Sequence, residues 1–412
     1  MTALSSIGAS TRCLVNPPKA ADNPKIWQKI NNLSLRIPFV KFAEGAQGEV
    51  WGSETENMSP VVVKVFSKKK HYDNESKILQ IAHGTPYLVV MRAAGQIDGR
   101  YVIVLNNAGK CDFLDFINDN EKILEEDTLL LARQSLECLD GLHARGVIHC
   151  DLKPENVIVR FESGDLKFSI ADLGLSITFN DKENLTRCKK GTLSYASPEL
   201  ALSLKCGPEI DIWGLGYLIC MAQGVDLLEF DPKLENKLKL LQKMEMVFGE
   251  FPQEMIKKAP DEVRRWCFKE VKVLSEGQEL TRYKLKEPDF DWPCLEEIME
   301  ENEFPELVKY LLRKIFTYEN RPTAKDLLKE IIQFKIQVPK HLKKSTLTIK
   351  SNKKLNNGVI QTVKKTVKLS HNVFQIFASR SENDVYEIIT QDSSGKTYKG
   401  YHVILDEGIL AL

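Results

Sequence analysis

Apolar and polar positions follow two periods along the chain, and the changes between them divide it. Leu33 to Ala43 alternates loosely and Val61-Val62-Val63 is a β-branched run, so this stretch predicts strands. His71 to His83 moves to helical spacing, with Ile78 and Leu79 on the inward side. Strands are predicted over Tyr87 to Ala93 and Tyr101 to Leu105, around a turn at Gln96-Ile97-Asp98-Gly99. Leu129, Leu130, Leu136, Leu139 and Leu142 mark a helix over Leu129 to His143, with Gly146 behind it. Alternation returns at Asn156 to Val159 and Leu166 to Ile170, a predicted hairpin, and Leu307 to Phe316 and Thr323 to Phe334 are again helical. After Pro339, strand-like pieces at Thr346 to Ile349, Val359 to Leu369, Val373 to Ala378, Val385 to Thr390 and Tyr398 to Leu405 alternate with turn candidates at Asn356-Asn357-Gly358 and Ser393-Ser394-Gly395. Strands, then mostly helices, then strands again predict an α+β fold with a small beta-rich C-terminal appendage.

Composition narrows this little. The 412 residues are 43% hydrophobic and 28% charged, ordinary for a globular chain, which excludes disorder throughout. Fifty-seven basic and fifty-seven acidic side chains give a formal net charge of zero, so no whole-molecule field favours nucleic acid or anionic membrane. The nine cysteines are scattered, with no close C-x-x-C pair. They point to reduced thiols in an intracellular compartment, cytoplasmic or nuclear, and not to a zinc site. No apolar run is long enough for a transmembrane segment, and the first 32 residues read as a flexible leader rather than a secretory signal.

Candidate chemistry concentrates in His149-Cys150-Asp151-Leu152-Lys153-Pro154-Glu155-Asn156. The octet matches H-x-D-x-x-x-x-N and resembles the catalytic loop of the protein kinases. Other stretches carry the same resemblance in the same order: Gly45-Ala46-Gln47-Gly48 before a strand ending in Lys64, Glu75 on the following helix, and Ala171-Asp172-Leu173-Gly174 in place of D-F-G. Further on stand Gly191-Thr192 with Tyr195-Ala196-Ser197-Pro198-Glu199, Asp211-Ile212-Trp213-Gly214, and Arg321 as the partner expected for Glu199. The resemblance covers about residues 34 to 335 and implies a bilobal fold, with a small lobe over 33–108, a large lobe over 109–335 and the appendage over 336–412.

It also implies roles. Glu75 would pair with Lys64 and hold it against the α and β phosphates of ATP; Asn156 and Asp172 would hold Mg2+; Asp151 would accept the proton of the incoming hydroxyl, and Lys153 would steady the moving phosphoryl group. Gly45 and Gly48 would form the phosphate lid, with Ala43 in the place of its first glycine. Phe42, Val50, Val62 and Ile158 would border adenine, Leu105 would close the back of the pocket, Asn106 to Ala108 would be the hinge and Asp112 would reach the ribose. Leu79, His149 and Leu173 would stack between the lobes.

Lys153 and Thr192 favour Ser/Thr acceptors on a protein substrate, with dual specificity left open. The H-C-D-L-K-P-E-N octet and the stretch from Lys243 to Ile256 resemble the group of dual-specificity tyrosine-regulated, CDC-like and SR-protein kinases, from which Ala196 departs. Cys150 stands where many kinases carry an arginine that meets an activation-loop phosphate, so activity independent of that coupling is expected, with Ser176, Thr178, Thr186 and Thr192 able to act by other contacts. Ala43, Val62 and Ala196 also fit a pseudokinase, a nucleotide-responsive binding module.

Two charged stretches carry open readings. Glu287 to Glu306 holds nine acids and no Lys or Arg, and is either a solvated helix face and loop or a surface for a basic partner. Residues 340–368 hold nine lysines and no acid; the appendage that contains them packs on the main domain, docks a protein partner, or meets acidic lipid or nucleic acid, for which no aromatic reader pattern is present.

Overall fold

A computed structural model describes residues 26–37, 40–45, 47–109, 111–120, 122–162, 165–179, 191–275, 278–288 and 290–337, and then strands within 346–411. The chain falls into two compact units, Met1–Ala324 and Lys325–Leu412.

The first unit opens on two hairpin strands, β1 (Ile26–Ile30) and β2 (Leu33–Ile37). An antiparallel sheet of five follows, in which β3 (Val40–Gly45), β4 (Gly48–Glu54), β5 (Pro60–Phe66), β7 (Arg100–Asn106) and β6 (Met91–Ile97) lie side by side in that order. Period two decides what β5 does. Val61, Val63 and Val65 face a core that includes Ile30, Leu35, Val102 and Val104, whereas Val62 and Lys64 face the opposite side, where a cleft opens. Helix α1 (Lys69–Ile81) buries Glu75, Ser76, Ile78 and Leu79.

Three expectations are corrected in this lobe. Ile26–Ile30 is a strand and not part of a flexible leader; Asn31 takes the left-handed turn at φ 52° and donates to Ala94 O at 3.1 Å, and Ile30 enters the core. Residues 1–25 lie outside the described residues. The strand expected at Tyr87 to Ala93 begins instead at Met91. Tyr87 is left-handed at φ 51°, and the next residues bond to the later strand at Ile170 (Val89 N to Ile170 O, 2.9 Å). The turn is correspondingly at Asp98-Gly99.

Beyond the hinge come β8 (Cys111–Asp112), α2 (Phe113–Asn120), α3 (Glu125–Ala144), β9 (Val147–Ile148), the hairpin β10 (Val157–Glu162) with β11 (Asp165–Ile170), and β12 (Ile177–Thr178). The short α4 (Pro198–Ala201) precedes α5 (Glu209–Ala222), of which every residue from Ile210 to Cys220 is buried. A helix apolar all round belongs at the centre of a lobe, and α3 packs on it. Around these lie α6 (Lys237–Phe248), α7 (Gln253–Lys258), α8 (Asp261–Cys267), the hairpin β13 (Phe268–Ser275) with β14 (Gln278–Leu285), α9 (Leu295–Glu301) and α10 (Glu306–Ile315).

Several of the acids between Glu287 and Glu306 pair within the chain. Glu296 bonds Arg313 at 2.7 Å, Glu300 and Glu306 share Lys309 at 2.6 and 3.2 Å, and Glu287 meets Lys269 at 3.0 Å.

In the second unit the helix expected over Thr323 to Phe334 ends at Glu330 (α11, Ala324–Glu330), and Ile331–Gln337 is a strand, β15, paired with Val373–Ser379. Apolar spacing in this short run fits either period, and its long-range partner decides. Among the described residues the unit holds two four-stranded antiparallel sheets; in one, β16 (Thr346–Lys354) pairs with Ile360–Lys368 and with Val385–Gln391. Lys340, Lys343, Lys344 and both turn candidates lie outside the described residues.

Candidate active site

The catalytic-loop octet lies between β9 and β10, and its shape is fixed from below by α5. Asp211, 1% exposed, accepts the backbone N–H of His149 at 2.8 Å and of Cys150 at 2.9 Å, and its Oδ2 also meets His143 Nε2 at 2.9 Å. Cys150 is left-handed at φ 68°, a conformation that costs a non-glycine residue energy and needs such anchors. Asp151 N–H donates to His149 Nδ1 at 3.2 Å, so Nε2 carries the ring proton and donates to Ala171 O at 3.0 Å. The octet and the Asp172 segment are thereby tied through one imidazole.

Asp151 is held by groups from two segments. Its Oδ1 accepts both the N–H and the hydroxyl of Thr192 at 2.9 Å, and its Oδ2 lies 3.3 Å from Asn156 Nδ2 and 3.4 Å from Lys153 Nζ. Lys153 Nζ donates to the same Thr192 hydroxyl at 2.9 Å. Asn156 Nδ2 also donates to Asp151 O at 2.7 Å, which points its own amide oxygen away from that carboxylate.

Lys64 Nζ lies 2.7 Å from Glu75 and 2.8 Å from Asp172. Burial is the largest influence on Lys64 and acts to lower it, but the two carboxylates outweigh it and raise its pKa. Burial pushes Glu75 up to about 7, Asp172 adding to this and Lys64 opposing it. Asp172 moves the other way: burial raises it, but Lys64 and the Gly174 N–H hold it below its ordinary value. Asp172, too, is left-handed, at φ 62°.

These groups stand at the polar end of a cleft of about 230 Å³. Ala43, Val50 and Val62 line it from the five-stranded sheet and Ile158 and Ala171 from the segments after the octet, with Leu105, Asn106, Asn107 and Ala108 contributed by the end of β7 and the residues after it. Of the residues anticipated from sequence, Lys64, Glu75, Asn156, Asp172 and Asp112 also line it. Gly45 and Gly48 face each other at the end of the β3–β4 hairpin and are not among its lining residues. The side chain of Phe42 lies outside the described residues, as does Thr186. Asp112 Oδ1 caps α2 by accepting the Asp115 N–H at 2.9 Å.

Sequence reasoning passed over Asp115 and Glu155, which also line the cleft. Burial, with Asp112 and Asp119, raises the pKa of Asp115. Glu155 Oε2 is buried without a hydrogen-bond partner among the described residues. Its place inside the octet was the available signal.

The donor set fits a nucleotide with a hard cation. Asp172 and Asn156 supply two oxygens near the Lys64 ammonium, and two cannot complete the shell of such a cation, which leaves positions for phosphate oxygens. Cys150 has a different environment. It is buried with Ile148, Cys206 and Ile210, against Ile177, Phe179 and Leu200, and its Sγ donates to Ile148 O at 3.6 Å. Arg321 meets Glu199 at 3.2 Å and also donates to Glu209 O at 2.7 Å.

Known proteins resemble the chain over most of its first unit. The protein kinase domain family model matches residues 40–332. NUAK family SNF1-like kinase 2 of Rattus norvegicus is 31% identical over 200 residues, which is 46% of this chain and 31% of that protein. Calcium/calmodulin-dependent protein kinase type 1 of Macrobrachium nipponense is 30% identical over 164 residues, 38% of this chain and 47% of that one. The matches thus span less than half the length of these relatives. A chain of the yeast RNA Pol II CTD kinase CTDK-1 complex superposes with a TM-score of 0.56 and 16% identity, over 70% of this chain and 90% of that chain, a likeness of fold. These relatives are SNF1-like and calmodulin-dependent kinases, and they lend no support to the placement among dual-specificity tyrosine-regulated, CDC-like and SR-protein kinases; the octet that suggested it is a local likeness. No helix among the described residues is long and apolar enough to cross a membrane.

Proposed function

The chain belongs to the protein kinase domain family, and we propose that it transfers the γ-phosphoryl group of ATP to serine or threonine hydroxyls of protein substrates. The observation that carries this reading is the convergence of Lys64, Glu75, Asp172 and Asn156 on one end of the cleft, with Asp151 held beside Asn156.

Bound ATP with Mg2+ supplies the transferable group and neutralises its charge. Lys64, braced by Glu75, presents a cation to the phosphates; Asp172 and Asn156 present oxygen ligands. Asp151 orients the acceptor hydroxyl and takes its proton. Lys153, bonded to Thr192 and 3.4 Å from Asp151, supports the charge that moves past it. Val50, Val62, Leu105 and Ile158 give the base an apolar slot, with the hinge at Asn106 to Ala108 along its edge. Gly45 and Gly48 shape the hairpin above the phosphates.

The setting of Cys150 supports activity that does not depend on an Arg-paired loop phosphate. An apolar cluster joins the catalytic loop to Ile177 and Phe179, the contact that a charge pair would otherwise make.

Phosphate incorporation into a broad Ser/Thr peptide panel tests the assignment. Asp151→Asn and Lys64→Met are each expected to lose roughly 10²- to 10⁴-fold in rate, and phosphatase-treated enzyme is expected to match untreated enzyme. Equal activity in wild type and both variants would sink the kinase reading. Nucleotide-induced heat stabilisation without transfer to any peptide would favour the binding-module reading instead.

A further inference from the structure

The β13–β14 hairpin has an open edge. Lys286 N–H donates to Cys267 O at 2.9 Å, and Gln253 bonds both the N–H and the C=O of Tyr283 at 2.8 Å from the side away from β13. These bonds fix the alternation of the ladder. Odd-numbered residues of β13 bond to β14, and the N–H and C=O groups of Glu270, Lys272 and Leu274 point outward, with no hydrogen bond to a described residue. The edge of β14 is partly covered by Gln253, whereas that of β13 is open among the described residues.

Three of the eight large apolar side chains exposed among the described residues lie in this short stretch: Trp266 at 73%, Leu274 at 79% and Leu280 at 43%. A two-stranded ribbon is marginal by itself in water, and an edge lysine usually guards such a strand against pairing. Here Lys272 is already matched by Glu279 at 2.8 Å, which weakens that guard.

We propose that this edge is a homodimer interface, in which β13 pairs antiparallel with β13 of a second copy to make a four-stranded sheet. The sequence of the edge identifies the occupant. A two-fold pairing centred on Glu270 opposes two carboxylates, and one centred on Lys272 opposes two ammonium groups. Centring on Val271 instead sets Glu270 of each copy opposite Lys272 of the other, twice, with Val271 against Val271 between them. The same register brings exposed Leu274 of one copy to the hairpin base of the other, where Phe268 is buried and Trp266 is exposed. Centring on Val273 pairs Lys272 with Leu274 and leaves Glu270 unmatched.

Sedimentation and light scattering of the full chain test this, at concentrations up to roughly 50 µM, well above a micromolar dissociation constant. Wild type is expected to approach twice its 46.9 kDa mass. Glu270→Lys and Lys272→Glu are each expected to weaken self-association by about tenfold or more, through two like-charge contacts. An equimolar mixture of the two variants is expected to dimerise again, because each then presents the charge the other requires. Both residues are remote in sequence from the catalytic groups, so unchanged kinase activity and melting temperature report intact folding in the single variants. A wild type that stays monomeric across this range overturns the proposal. So does a dimer that both variants leave intact, or a mixture that fails to recover.

Discussion

One ammonium, that of Lys64, serves two carboxylates, and they respond differently. The Glu75 side chain is 1% exposed and among the described residues bonds Lys64 alone, so burial, with Asp172 adding to it, prevails and its pKa rises to about 7. Burial raises Asp172 as well, but it takes the Gly174 N–H in addition to Lys64, and together they hold its pKa below its ordinary value, so it keeps its charge. For Glu75 the folded protein holds a proton that the unfolded chain gives up above its ordinary value of 4.5. Stability therefore falls as pH rises from about 4.5 to about 7, by at most ~1.4 kcal/mol per pH unit. The lowered Asp172 acts with the opposite sign and only below its ordinary 3.8, and the raised Lys64 loses its contribution only above 10.5. Urea unfolding at about pH 5 and about pH 7 is expected to show this slope in wild type and a flatter one in Glu75→Gln; equal slopes would refute the assignment. The residues of this group were legible in sequence because each sits in its own local pattern. Asp115 and Glu155 were not, since what marks them is burial and the cleft they share, which only the folded chain creates.

At the scale of elements, the two glycines of the β3–β4 hairpin do different work. A Cβ on Gly48, which sits at φ 152°, would lie 1.9 Å from Val65 O, whereas a Cβ on Gly45 meets nothing within 4 Å. Gly48→Ala is expected to destabilise the small lobe by roughly 2 kcal/mol or more, and Gly45→Ala by less than about 0.5 kcal/mol. Thermal melts of the two variants would separate them, and equal shifts would contradict the geometry. The pattern reading singled out both glycines alike, whereas the need for glycine at position 48 alone arises from the neighbouring strand β5. Elements defined by strong local periodicity, such as α3 and the β10–β11 hairpin, were legible for the same reason the residues of the candidate site were. Those that depend on distant partners were not. Tyr87 to Val89 looks like a strand because it is apolar, yet its bonds go to Ile170; Ile26–Ile30 looks like leader because its partners are β2 and the core behind it.

For the kinase unit as a whole, α5 acts as the fixed reference. Arg321, 2% exposed in its side chain, joins Glu199 of α4 to the carbonyl of Glu209 at the start of α5, with its guanidinium 4.8 Å from the Trp213 ring centre. Removing one member of a buried pair strands the other, so Arg321→Ala is expected to cost about 3–5 kcal/mol and to lower the melting temperature by roughly 10 °C. Calorimetry showing a shift within about 1 °C would refute that role. Asp211 on the same helix governs time as well as position. The amides of His149 and Cys150 belong to a loop, where hydrogen exchange is ordinarily fast, yet both end on a buried carboxylate. They should exchange as slowly as amides in the middle of α5, and Asp211→Asn should release the pair together. The loop from His149 to Asn156 then opens only as the large lobe's centre opens, and any motion at the cleft must take place around it.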